Sequence, residues 1–251
     1  MIRTVLGAVF TLVATAIGSS AVVIGALLGR KDRVGSIFDI TPRMWGKALV
    51  WAAGIEIVVH GEENTRGTEK MFVCNHVSLF DVPVIASLMT RGKFVAKAEL
   101  SRIPLFGAGI RAAGMVFIER ENRKAAFESY REASDRVHDG ASIIVFAEGT
   151  RGDSYSLRAF KKGPFVLAIS AQAPIIPTVI YGTIHCQPKG KFLLRKGRVD
   201  VHFLEPVPTA GLTYEQRGEL AATVRGRMAE ALELHYGVKS PGWEPRSLTT
   251  K

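Results

Sequence analysis

An imidazole and a carboxylate stand five positions apart in Asn75-His76-Val77-Ser78-Leu79-Phe80-Asp81, directly after the apolar run Met71-Phe72-Val73-Cys74. On one continuous helix these two side chains would point about 140° apart and never meet. With His76 on a loop and Asp81 at a helix start they can meet, and Pro83 supports that start because proline belongs in a first helical turn. Asp81 would then accept from one ring nitrogen and leave the other free as a general base. A plainer reading makes Asp81 an N-cap, or Ser78 and Asp81 a capping box before an apolar run.

A second polar cluster, Glu148-Gly149-Thr150-Arg151, ends the apolar run Ser142-Ile143-Ile144-Val145-Phe146. Gly149 permits a tight turn, and backbone amides, a hydroxyl and a guanidinium can converge there on an anion. The same logic applies to Gly114-Met115-Val116-Phe117-Ile118-Glu119-Arg120, where Arg120 could reach that anion or pair with a neighbouring glutamate. Cys74 offers a rival chemistry, a thiol nucleophile beside His76, although a cysteine inside an apolar run usually packs. Cys74 and Cys186 have no metal-ligand spacing and form no disulfide framework.

These clusters need a scaffold. Short β-rich runs at Met71–Cys74, 94–96, 115–118, Ser142–Phe146, Ile175–Tyr181 and 199–203 alternate with helical patterns at 83–89, Arg123–His138, 164–171 and 214–234. Such alternation predicts an α/β layered fold with a mostly parallel central sheet flanked by helices. Ligands of such sheets bind beyond the carboxyl ends of strands, where both polar clusters fall.

The N-terminus carries a different signal. Thr4 to Gly29 has no charged residue and is long enough to cross a bilayer. Arg30, Lys31 and Arg33 follow it, which places the rest of the chain on the cytoplasmic face of the membrane. Trp45 and Trp51 suit the headgroup level, and 45–59 reads as an interfacial helix or, from Gly54 to His60, as a first strand. The expected organisation is a membrane anchor and interfacial helix over 1–60, a catalytic domain over 61–238 and a frayed tail over 239–251.

Composition is that of a folded protein, 47% apolar and 22% charged, with a formal net charge of +10. The cations do not interleave with aromatics, which argues against nucleic acid and for membrane lipids or phosphorylated substrates. A non-catalytic, basic, membrane-tethered protein remains the alternative from another class.

Taken in order, the clusters resemble the glycerophospholipid acyltransferases, especially the 1-acylglycerol-3-phosphate acyltransferases. Asn75 to Asp81 resembles that family's His-x4-Asp motif, Gly114 to Arg120 its second, Phe146 to Arg151 its third, and Ala173-Pro174-Ile175-Ile176-Pro177 its fourth. Glu119 stands where aspartate is frequent, Ala147 replaces a common proline, and Gly152 and Pro164 also depart from the pattern. The resemblance implies acyl transfer from acyl-CoA or acyl carrier protein to the free hydroxyl of lysophosphatidic acid, with no cofactor and no metal. It implies His76 as base, Asp81 as its partner, and Arg120, Glu148, Gly149, Thr150 and Arg151 around the phosphate. Asn75 is an expected oxyanion donor beside the backbone amides, and Ser78 and Lys161 are further candidates.

Overall fold

A computed structural model of the chain describes residues 2–67, 69–119, 123–190 and 193–242. Two long helices come first, α1 (Ile2–Leu27) and α2 (Ile37–Ala53). Seven strands follow: β1 (Ile55–His60), β2 (Met71–Cys74), β3 (Gly92–Lys97), β4 (Val116–Ile118), β5 (Ser142–Phe146), β6 (Ile175–Tyr181) and β7 (Gly197–Phe203). Between and after them lie α3 (Asp81–Leu88), α4 (Phe106–Ala112), α5 (Arg123–His138), α6 (Gly163–Ala171), the short α7 (Thr183–Cys186) and α8 (Arg217–Tyr236).

The strands form one sheet in the order β1-β7-β6-β2-β5-β3-β4. Every neighbouring pair is parallel except β6 and β7. Successive side chains of a strand face opposite ways, and here both faces are covered, which is why the central strands read as unbroken apolar runs. Met71, Val73, Ile143, Val145, Ile175 and Val179 pack with Ala133, Phe165, Leu167 and Val224 of α5, α6 and α8. Phe72, Cys74, Ile144, Ile176 and Ile180 pack with Phe38, Val50, Val84 and Ile85 of α2 and α3.

The stretch 45–59 is both alternatives in succession. Helix α2 ends at Gly54, whose left-handed backbone (φ 64°) reverses the chain into β1. Because β1 pairs with β7 along its length, Ile55–His60 belongs to the sheet. Helices α2 and α3 approach closely at Gly46, where a Cβ would lie 2.6 Å from the Pro83 carbonyl oxygen. The Trp45 indole is half-buried and donates to the Thr15 hydroxyl of α1 (3.0 Å). Trp51 is exposed, as expected for an interfacial residue.

Helix α1 is long and apolar enough to cross a membrane. It is also docked along its length on the domain. Thr4 Oγ1 accepts from the Leu194 amide (3.3 Å), Thr15 meets Trp45, Ser19 packs on Gly109 of α4, and Gly25 packs on Ile37. The start of the tail is anchored rather than frayed. The Lys239 carbonyl and Ser240 hydroxyl bond to Ser156 and Leu157, and Arg225 donates to the Pro241 carbonyl (2.7 Å).

Candidate active site

The loop between β2 and α3 carries His76, and Asp81 is the first residue of α3. His76 Nδ1 lies 2.8 Å from Asp81 Oδ2. A carboxylate beside Nδ1 holds the proton on that nitrogen and leaves Nε2 with a lone pair. The same Oδ2 accepts from the amides of Val77 (2.7 Å) and Ser78 (2.8 Å), while Oδ1 accepts from the Thr183 hydroxyl (2.6 Å). Asp81 is fully buried. A buried charge at a helix start is tolerable when donors and the positive helix end surround it. Asp81 therefore caps the turn and orients the imidazole at once, and the two readings of the motif are one arrangement.

Other groups fix the imidazole. Its ring stacks on Phe146 at the end of β5, with centroids 4.1 Å apart. The His76 amide donates to Glu148 Oε1 (3.1 Å), and the His76 carbonyl accepts from the Gly152 amide (2.7 Å). The two polar clusters, more than 70 residues apart in sequence, are thus stitched together by backbone hydrogen bonds.

The Glu148 carboxylate is buried, and its other oxygen accepts from the Arg158 amide (3.2 Å). Burial raises its pKa above the ordinary carboxylate value, against the pull of the His76 and Arg158 amides. Its two oxygens brace the His76 loop against the segment at Arg158. The Asn75 amide is fully buried and spans Ile180, accepting from the amide (2.7 Å) and donating to the carbonyl (3.0 Å), so it clamps β2 to β6. The Ser78 hydroxyl donates to the Gln187 carbonyl (2.9 Å), tying the loop to the turn after α7.

His76, Gly149, Thr150 and Arg151 line one cavity of about 430 Å3. Gly149 holds a left-handed backbone (φ 76°) that turns the chain after β5. Away from this polar end the walls are apolar: Val22 of α1, Trp45 of α2, Ala86 of α3, Ile110 of α4 and Met115. Lys161 is exposed and lies outside the cavity lining, and Arg120 lies outside the described residues.

Sequence reasoning missed Thr183, Phe146 and Lys97, which also lines the cavity. Lys97 had a signal, a cation ending the short apolar run Phe94–Ala96, like the other clusters. Thr183 had none, since only the fold brings it to Asp81. Tyr155 supports it from below: its hydroxyl accepts from the amides of Gly182 (2.7 Å) and Ile184 (3.0 Å), on either side of Thr183.

Two rivals lose their ground. The Cys74 thiol is fully buried, and burial, with the Asp81 charge, pushes its pKa far up, so it supplies no thiolate at neutral pH. A second histidine–aspartate contact, His60 Nε2 to Asp200 Oδ1 (2.9 Å), sits at the β1–β7 edge. Both Asp200 oxygens are held by the Arg198 guanidinium. Neighbouring His202 is pushed down to about 4 by burial and by His60 and His235, and it contacts the Tyr236 hydroxyl.

A histidine oriented by a buried carboxylate is thus set at the carboxyl ends of parallel strands and lines a largely apolar cavity. The profile described as Acyltransferase matches residues 56–181, half of the chain. A 1-acyl-sn-glycerol-3-phosphate acyltransferase of Cocos nucifera is 35% identical over 166 residues, 65% of this chain and 54% of the relative. One of the same name from Limnanthes alba is 32% identical over 186 residues, 73% of this chain and 65% of the relative. The crystal structure of the 1-acyl-sn-glycerophosphate (LPA) acyltransferase PlsC from Thermotoga maritima superposes with a TM-score of 0.73 at 29% identity, covering 92% of this chain and 97% of that one. This chain belongs to the Acyltransferase family. It spans between about half and two thirds of the length of these two plant relatives.

Proposed function

We propose that the chain moves a fatty acyl group from the thioester of acyl-CoA or acyl carrier protein to the free sn-2 hydroxyl of 1-acyl-glycerol-3-phosphate, giving phosphatidic acid. The observation that carries this reading is the cavity itself, with an oriented imidazole and cations at one end and apolar walls at the other. Its size is within the range of sites that enclose a small-molecule ligand. The names of the relatives support the same substrate class.

In this mechanism His76 Nε2 takes the hydroxyl proton as the oxygen attacks the thioester carbonyl. Asp81 stabilises the imidazolium that forms. The tetrahedral intermediate expels the thiolate, which takes the proton back from the imidazolium, so no covalent enzyme intermediate arises and no cofactor is consumed. The amides of His76, Val77, Ser78, Leu79 and Phe80 are all bonded within the fold, so they are not the oxyanion donors. That task falls to Thr150 across the mouth, while Arg151 and Lys97 supply positive charge for the glycerol phosphate. The acyl chain lies along the apolar walls.

The helix pair supplies access to lipid. Exposed Val5, Val9, Leu12, Ile17, Ile24 and Leu27 lie on one side of α1 and form an apolar stripe. Because the opposite face of α1 is docked along its length, the helix lies within one leaflet rather than crossing the bilayer. Arg30, Lys31 and Arg33 after it favour the cytoplasmic face.

The test pairs purified protein with lysophosphatidic acid, other lysophospholipids and glycerol 3-phosphate, against acyl-CoA and acyl carrier protein donors. Phosphatidic acid is the expected main product, and preference for another acceptor would overturn the assignment. Val22→Phe, which fills the cavity from α1, is expected to lower kcat/KM for a palmitoyl donor about tenfold relative to a lauroyl donor. An unchanged ratio would remove the acyl chain from this cavity. Thr183→Val, which deletes a donor to Asp81, is expected to lower kcat about tenfold with KM nearly unchanged, and Thr183→Ser to restore it. A loss in KM alone, or no rescue by serine, would dismiss Thr183 as a positioning residue.

A further inference from the structure

At the opposite end of the sheet from His76 lies a second recess, of about 390 Å3. Gly92 and Ser142, the first residues of β3 and β5, mark that end, whereas His76 follows the last residue of the parallel strand β2. Lys31, Arg91, Lys93 and Arg136 line it, with Asp32 and Asp139. Four cations thus face two carboxylates.

The carboxylates do not saturate the cations. Lys93 is fully buried and reaches Asp32 Oδ2 (2.9 Å) and the Ala113 carbonyl (2.8 Å). Burial lowers its pKa and Asp32 pulls it back. The Arg91 guanidinium donates to the Asp139 carbonyl (2.6 Å) and weakly to the Asp32 carbonyl (3.4 Å). Its Nε is buried with no hydrogen-bond partner, 3.6 Å from Asp32 Oδ1, which also lacks one. Arg136 holds Glu132 through Nη2 (2.8 Å), and its Nε is likewise buried without a partner. The Arg136 guanidinium thus presents a desolvated N–H without an acceptor, and Arg91 Nε meets Asp32 Oδ1 only as a long ion pair, too far for a hydrogen bond. An oxyanion with several acceptor oxygens answers both the missing acceptor and the excess charge.

The recess adjoins the turn between α1 and α2. Lys31 is on its rim, and exposed Leu27, Leu28 and Val34 flank Lys31 in sequence. We propose that this recess binds the phosphate of a phosphate-bearing anion, the source being the headgroup of an anionic phospholipid in the membrane or a phosphate in solution. The site is separate from the catalytic one, and it adds a headgroup contact to the apolar contact proposed for α1.

Arg91 and Lys93 brace backbone carbonyls, so the test uses Lys31→Gln, Arg136→Gln and their double variant, with Lys196→Gln as an exposed cation outside the recess. Co-sedimentation is measured with vesicles of phosphatidylcholine alone and with added phosphatidylglycerol, and thermal melting is followed against inorganic phosphate. For a headgroup, wild type binds the mixed vesicles more tightly, the double variant loses about tenfold of that gain, and Lys196→Gln keeps it. For soluble phosphate, phosphate raises the melting temperature of wild type and not of the double variant, while vesicle binding is equal. The proposal falls if the double variant matches wild type in both assays, or if Lys196→Gln loses as much as the double variant. Failure to bind phosphatidylcholine vesicles at all would instead count against the membrane role of α1, and the phosphate titration would still decide the recess.

Discussion

His76→Ala is expected to lower kcat for acyl transfer to lysophosphatidic acid by ~10^3- to 10^4-fold with KM little changed. In the proposed mechanism the imidazole is the proton acceptor, and the described residues lining the cavity include no other histidine. Water would have to take its place, at far lower basicity. The loop should survive, because its backbone is held by Asp81, Glu148 and Gly152 independently of the His76 side chain. Loss of stacking on Phe146 costs stability but leaves substrate contacts in place. Steady-state kinetics with a labelled acyl donor, beside a thermal melt, decides the matter. Turnover within tenfold of wild type would remove His76 as the base.

Asp81→Asn separates charge from architecture. An asparagine in the same rotamer can keep its oxygen where Oδ2 stands, accepting from the Val77 and Ser78 amides and from His76 Nδ1. Its NH2 group would then face the Thr183 hydroxyl, which can accept. The fold is expected to persist, while the imidazolium loses its counter-charge and kcat falls by ~10^3-fold or more. Asp81→Ala removes the acceptor of four donors at a fully buried site, so it should also lower the melting temperature sharply. If the asparagine variant keeps wild-type kcat, the carboxylate is only a cap. If it unfolds, the isosteric argument fails, and the kinetics of Thr183→Val carry the question of orientation.

The anion recess and the active site divide the basic surplus of the chain between two ends of one sheet. Arg151 and Lys97 stand at the carboxyl ends of strands, and Arg91 and Lys93 at the amino ends. A protein working on a lipid surface could then use one cluster to hold substrate phosphate and the other to hold the layer.

Local sequence carried the elements and the dyad. The apolar runs of β2, β5 and β6 are legible because both faces of each strand are buried, so no alternation interrupts them. Helix α5 coincides with its pattern over Arg123–His138, since its period needs no distant partner. His76 and Asp81 are legible as a pair because the five-residue spacing closes within one loop and one helix start. The placement of β1 was open, because Gly54 reads as a break whether a strand or a loop follows, and only pairing with β7 decides it. The bracing contacts of Glu148 and Asn75 were also out of reach, because their partners, the His76 amide and Ile180, come from segments distant in sequence.

Legible along the chain was the chemistry that is local in it: an imidazole with a carboxylate in reach, an apolar first helix, and strands alternating with helices. Contacts between distant segments came from the fold. Thr183 meets Asp81 across 102 residues, α1 lies against the domain instead of standing free, and the cavity is walled by four helices and two strands. The physical reason is that hydrogen bonds and apolar contacts between distant segments depend on strand order and register, which side-chain periodicity along one segment does not encode.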